Sequence, residues 1–175
     1  GIVCILGTGS NSCYHRQAQV VEVKGGLGYI VGDEGSGADL GKHLLKAILQ
    51  DDMPPHIVQK FEDHFQKTAQ QMLTQVMLAS KPNVMLASWA PLLHQWAGEA
   101  AVEQLIVDRF LAFLDTTVCR YEAYKRLTVD FVGSIAHHFA PQLSQACHQC
   151  QLRLGTIDKD PVHKLVQYHL FGLRE

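Results

Sequence analysis

Glycine is concentrated at one end of this chain: ten of the fourteen fall within the first 41 residues. Such a bias predicts strands and tight turns at the start, where glycine opens positive φ, and leaves the later part to run mostly as helix. Residues 2–6 form a continuous apolar run that reads as a buried strand. The turn Gly7-Thr8-Gly9-Ser10-Asn11 follows, and two short strands are predicted at about 12–15 and 18–23 as an antiparallel meander. From Ala38, the spacing of Leu40, Leu44, Leu45 and Ile48 predicts a helix.

Pro54-Pro55 breaks the chain. Ile57, Val58, Phe61, Phe65, Ala69, Met72, Leu73, Val76 and Met77 then recur at three and four residues, which predicts one long amphipathic helix or two in tandem. A helix carrying Val84, Leu86 and Ala87 is interrupted near Pro91, and Ala101 to Leu114 is another. Trp89 and Trp96 share a helical face and read as core. Leu127 to Val132 reads as a strand that turns at Gly133-Ser134 into a helix through about Gln149. A short strand at Leu152 to Leu154 and a final helix at about 161–171 complete the series. Strands, a mostly helical block at about 54–120, then strand–helix–strand–helix indicate an α/β domain.

At 175 residues the chain is one domain's worth, enough to bury about two thirds of its unfolded surface. A hydrophobic content of 47% with 18% charged residues excludes intrinsic disorder. The net charge of −2 lacks the basic footprint of a nucleic-acid binder, so no nucleic-acid partner is expected. No apolar run reaches the roughly 20 residues of a membrane helix, so no membrane partner is expected either. The chain opens inside a strand pattern, without Met or a signal peptide, and is expected to be a piece of a longer protein. Its five cysteines are read as reduced thiols, which points to the cytoplasm. Cys147-His148-Gln149-Cys150 lacks a second ligand pair and lies late in a helix, so no metal site is assigned to it.

Three segments carry candidate chemistry. In Gly7-Thr8-Gly9-Ser10-Asn11, amides that converge without Cβ interference suit a phosphate, though a plain hairpin turn needs the same glycines. Gly32-Asp33-Glu34-Gly35-Ser36-Gly37 packs acids and glycines at a helix entrance. An acid there accepts sugar hydroxyls or holds a metal-bound water; equally, Ser36 or Asp33 caps the helix. The spacing of Gly35, Gly41 and Lys42 is not that of a P-loop, and Gly26, Gly28 and Gly32 do not fit the dinucleotide fingerprint. At Val132-Gly133-Ser134 a strand turns onto a helix through small residues, which lets a flat ligand approach the backbone.

Taken in order, these segments resemble N-acetylglucosamine kinases and the related BadF-type ATPases. Leu6 to Asn11 is similar to that family's second phosphate motif, Gly25-Gly26-Leu27-Gly28-Tyr29 through Gly32-Asp33-Glu34-Gly35-Ser36 to its sugar segment, and Val132-Gly133-Ser134 to its adenosine junction. The resemblance implies a ribonuclease H-like domain of the actin-type ATPase fold, a mixed sheet flanked by helices, as the C-terminal half of a two-domain kinase whose N-terminal domain is missing here. It implies that Gly7, Thr8, Gly9, Gly133, Ser134 and His137 bind ATP, used with Mg2+, and that Ser10, Asn11, Gly26, Leu27, Gly28, Tyr29 and Asp33 bind the sugar. Leu27 departs from the tryptophan of some members, at a position that bears on sugar identity. The family's first phosphate motif and its base aspartate are absent, so no catalytic base is assigned in this segment, and the piece alone is expected to be inactive. The intact protein is expected to be a cytoplasmic homodimer that phosphorylates N-acetylglucosamine or a related hexosamine. The same resemblance leaves open an ATPase that drives a redox partner, or a non-catalytic domain that keeps the fold.

Overall fold

The computed structural model describes residues 1–17 and 19–160; the helix expected at about 161–171 lies outside the described residues. Its centre is a five-stranded sheet. The strands are β1 (Ile2–Leu6), β2 (Ser10–Arg16), β3 (Gln19–Gly25), β4 (Thr128–Val132) and β5 (Arg153–Asp158), in spatial order β3-β2-β1-β4-β5. The first three form the expected antiparallel meander, and β4 and β5 join parallel to β1. Parallel strands need crossover connections, and the helices supply them. This is the mixed, helix-flanked α/β fold expected above.

The helices are α1 (Gly37–Leu49), α2 (Pro55–Phe65), α3 (Ala69–Leu78), α4 (Pro82–Ala87), α5 (Ala90–Gln95), α6 (Ala100–Thr116), α7 (Ser134–His138) and α8 (Ala140–Gln149), with a 3-10 turn at Val118–Arg120. The long pattern from Ile57 to Met77 is two helices. Gln66 ends α2 in the left-handed region, and Thr68 with Gln71 forms a reciprocal capping box that starts α3. The helix expected from Ser134 to Gln149 is likewise two, because Pro141 opens a fresh helix after Phe139 leaves helical geometry. The last strand runs to Asp158, longer than Leu152 to Leu154, because the ladder to β4 continues to Val132.

The core lies between the sheet and the helices. Ile2, Cys4 and Leu6 alternate inward from β1, beside Val129 and Phe131 of β4, all fully buried. To the same core α6 contributes Val102, Ile106, Phe110 and Phe113, spaced to share one face and also fully buried. Truncating Phe110 to alanine there costs about 3–5 kcal/mol. Tyr121 closes the helical block onto the sheet: its ring is buried and its hydroxyl lies 2.9 Å from Ser12 Oγ on β2. Trp89 and Trp96, at the two ends of α5, are buried as expected. None of the five cysteines forms a disulfide. Burial pushes the Cys147 thiol up to about 12, so the Cys147/Cys150 pair has no low-pKa thiolate at Cys147. Among the described residues no helix is long and apolar enough to cross a membrane.

Candidate active site

Because β1 and β4 are parallel neighbours, the loops after Leu6 and Val132 leave the sheet at the same edge. That edge, beyond the carboxyl ends of parallel strands, is where open α/β sheets hold ligands. Gly133 makes the close approach possible. It has φ +123°, and any Cβ there would collide with the Leu6 carbonyl. The start of α7 is thus pressed directly against the end of β1.

The acid-rich loop joins the same edge. Gly37 N donates to Gly7 O at 2.8 Å and Ala38 N to Thr8 O at 3.2 Å. Asp39 N donates to Ser36 Oγ at 3.2 Å, so Ser36 is the helix cap anticipated as one reading of this loop. The first N–H groups of α1 therefore bind protein acceptors and tie the helix to the glycine turn. On the far side of that turn, Asp33 holds φ +60°, a left-handed conformation that aspartate tolerates. Its carboxylate rests against Gly9, where an added methyl would sit 2.8 Å from Asp33 Oδ2. A side chain at Gly9 would have to turn that carboxylate away.

A cleft of about 620 Å³ opens at this edge, within the range of small-molecule sites. Gly7 and Thr8 form its floor by β1, and Ser134 and His138 come from α7. The opposite wall is Pro91, His94 and Gln95 of α5. His94 and His138 have ring centroids 5.6 Å apart, and His94 stands edge-on to Phe139 at 5.6 Å. Partial desolvation, with the nearby charges of Lys159, His137 and His94, holds His138 below the usual histidine range and favours the neutral ring. His137 is exposed and does not line the cleft; its neighbour His138 does.

The residues proposed for the sugar divide. Asn11 packs under the Gly25-Gly26 turn, its amide nitrogen 3.1 Å from where a Gly26 Cβ would stand. Leu27 is 67% exposed, Tyr29 is half-buried against the core, and Gly32 N donates to Gly28 O at 2.8 Å to close the loop between them. Ser10 is the exception: it opens β2 opposite Leu6 and is nearly buried. Among the described residues no group of three His, Cys, Asp or Glu side chains could hold a metal ion. The Thr8 hydroxyl and the backbone of its turn, at the cleft, are of a kind that suits an anion.

Two features escape a reading of motifs. One is the α5 wall of the cleft. The other is Asp39, buried on the inner face of α1, with Arg109 Nε of α6 at 2.7 Å and His43 Nδ1 at 3.0 Å. Burial pushes this carboxyl up, but the Arg109 hydrogen bond and charge, with His43 beside it, outweigh that and bring it to about 2. An acid among the apolar positions of a helix, with His43 one turn on, is the sequence sign that a partner is needed.

No family model matches the chain. It is 37% identical to a solved structure from Porphyromonas gingivalis described as an N-acetylglucosamine kinase, with a TM-score of 0.91 over 97% of this chain and 59% of that one. A second structure so described, from Chromobacterium violaceum, is 23% identical with a TM-score of 0.71, covering 89% of this chain and 54% of that one, and shows the shared fold. A stretch of 51 residues is 49% identical to an N-acetylmuramic acid/N-acetylglucosamine kinase of Clostridium acetobutylicum, covering 29% of this chain and 16% of that protein. The chain thus spans less than two thirds of each relative. The resemblance read from the glycine motifs is borne out, and with it the fold class.

Proposed function

We propose, for a chain that resembles the N-acetylglucosamine kinases in motif, sequence and fold, that it is the C-terminal half of an ATP-dependent kinase of N-acetylglucosamine or a related hexosamine. The observation that carries this reading is the docking of the acid loop on the phosphate turn. Gly7 and Thr8 face the cleft while Asp33 touches Gly9, so one short turn separates a nucleotide-sized hollow from a carboxylate suited to sugar hydroxyls. Phosphoryl transfer depends on positioning and charge stabilisation, and such a turn can hold both reactants in line.

In this reading Gly7, Thr8 and Gly9 cradle the phosphate tail, and Gly133 and Ser134 admit the nucleoside beside α7. Asp33, with Asn11 and the Gly26–Tyr29 loop, orients the acceptor sugar. Magnesium, when bound with the nucleotide, would offset the phosphate charge. The base for the sugar hydroxyl is assigned to no residue of this chain, and the 175-residue segment alone is expected to show no turnover. The intact enzyme is proposed to work in the cytoplasm as a homodimer, in line with the resemblance and the five unbridged cysteines.

The test is ADP release by the intact protein with and without N-acetylglucosamine. Sugar-dependent release supports the kinase. Sugar-independent hydrolysis would transfer the site to an ATPase, and absence of nucleotide binding would leave only a retained fold.

A further inference from the structure

We infer that Arg109, outside every glycine motif and 70 residues from its partner, is a positioning residue that locks the acid loop to the phosphate turn through Asp39. This rests on the kinase reading for its consequence in catalysis, but not for its geometry. Asp39 Oδ2 accepts from Arg109 Nε at 2.7 Å and from Gly35 N at 3.0 Å. Gly35 is followed by Ser36, which caps α1 and donates its own N–H to Asp33 O at 3.1 Å. Gly37 and Ala38 then reach Gly7 and Thr8. One carboxylate oxygen is thus the hub from which Asp33 on one side and the phosphate turn on the other are held in register.

The carboxylate is 2% exposed, so its charge survives only while cations face it. Those cations are Arg109 from α6 and Lys42 from α1, the latter at 3.4 Å from Oδ1, with the His43 ring also beside Oδ1. Arg109 itself is 19% exposed and borders a solvent groove between α1 and α6, with Lys46, Asp52 and Asp108 also along it. Of the three partners, it alone reaches Oδ2, the oxygen that holds Gly35. Without it, His43 and Lys42 would pull the carboxylate toward Oδ1, and the Gly35 amide would lose its acceptor geometry. Displacing a reactive loop by about 1 Å is enough to slow a positioned reaction by about a hundredfold.

The experiment uses the intact protein with Arg109→Met, which keeps the stem and removes the charge, and Arg109→Lys, which keeps the charge. Hydrogen exchange is read first, because it does not depend on what the enzyme does. Arg109→Met is expected to speed exchange at Gly35, Gly37 and Ala38 together by about tenfold or more, with β1 and β4 unchanged, and Arg109→Lys to recover part of that protection. In the kinase assay, kcat for Arg109→Met is expected to fall about tenfold to a hundredfold with KM for nucleotide within about twofold. An acid limb in the rate profile should appear as Asp39 begins to titrate, and Arg109→Lys should shift it back. Adding Asp39→Asn to Arg109→Met should cost little more, since both act through one contact. Wild-type protection of the three amides in Arg109→Met overturns the inference. So does an equal loss of protection across the whole sheet in both variants, which would mark Arg109 as a general stabiliser. Absence of sugar-dependent ADP release in the wild type would instead remove the kinase reading, and the exchange result would still decide the lock.

Discussion

The two walls of the cleft are built differently. On the β1 side Gly7 and Thr8 line the cleft, and what holds them is backbone: the amides of Gly37 and Ala38 behind the turn, and Gly133 pressed on Leu6. On the α5 side they are side chains, Pro91, His94 and Gln95, carried by a short helix between two buried tryptophans. A backbone-built wall cannot tolerate a Cβ in the wrong place. A side-chain wall can change residue while the helix stays put. The first should fail by loss of the fold or of catalysis, and the second by graded loss of affinity.

The sharpest way to break that contrast is Gly133→Ala. The methyl would meet the Leu6 carbonyl at a φ that L-residues rarely adopt, so about 3 kcal/mol of destabilisation is expected, with loss of nucleotide binding. Thermal unfolding and a nucleotide titration read both, and a variant of wild-type stability would mean the junction is looser than drawn. Next comes Asp33→Asn. Asparagine accepts the same left-handed backbone, so only the charge is lost. The kcat/KM for the sugar should fall about a hundredfold, as for a charge-assisted hydrogen bond, with stability nearly unchanged. Equal loss in nucleotide affinity would place Asp33 on the wrong side of the turn.

A smaller effect concerns acid. Asp39 is depressed from 3.8 to about 2 in the folded chain. Its contribution is therefore fully present above about pH 4 and drains away as pH falls from there toward 2, amounting to about 2 kcal/mol. Denaturant unfolding at pH 7 and pH 3 should show about half of that loss in the wild type, about 1 kcal/mol, and a flatter profile in Asp39→Asn. The smallest effect expected is on the side-chain wall: His94→Ala should weaken nucleotide binding about fivefold, the scale of one aromatic contact, without lowering the melting temperature. A collapse of stability there would mean that α5 is as rigidly specified as the turn opposite.

Much of this was legible in the chain itself. The crowding of glycine at the start announces a meander and loops of special backbone geometry, and apolar periodicity locates the helices. It left one break open, with one helix or two between Ile57 and Met77, and missed the break between α7 and α8. Gln66, a non-glycine residue in a left-handed cap, gives no warning in a hydrophobic pattern, although the Thr68…Gln71 box that restarts the chain does. Pro141 was likewise an available signal of a new first turn. Around the cleft, the resemblance pointed to His137, while the residue that lines the cleft is its neighbour His138. Ser10 was read as part of the turn, and the ladder to Leu6 places it in the sheet.

What the sequence determined by itself was wherever the backbone must do something only certain residues allow: turn left-handed, pass within contact of another strand, or begin a helix at a serine. Those demands are local and leave their mark on a few adjacent letters. What only the tertiary structure decided was which distant surfaces meet, namely that α5 closes the cleft and that Arg109 finds Asp39. Many side chains satisfy a helix face equally well, so nothing local records the partner across the fold, and the choice emerges only when the packed core brings α1, α5 and α6 to the same edge of the sheet.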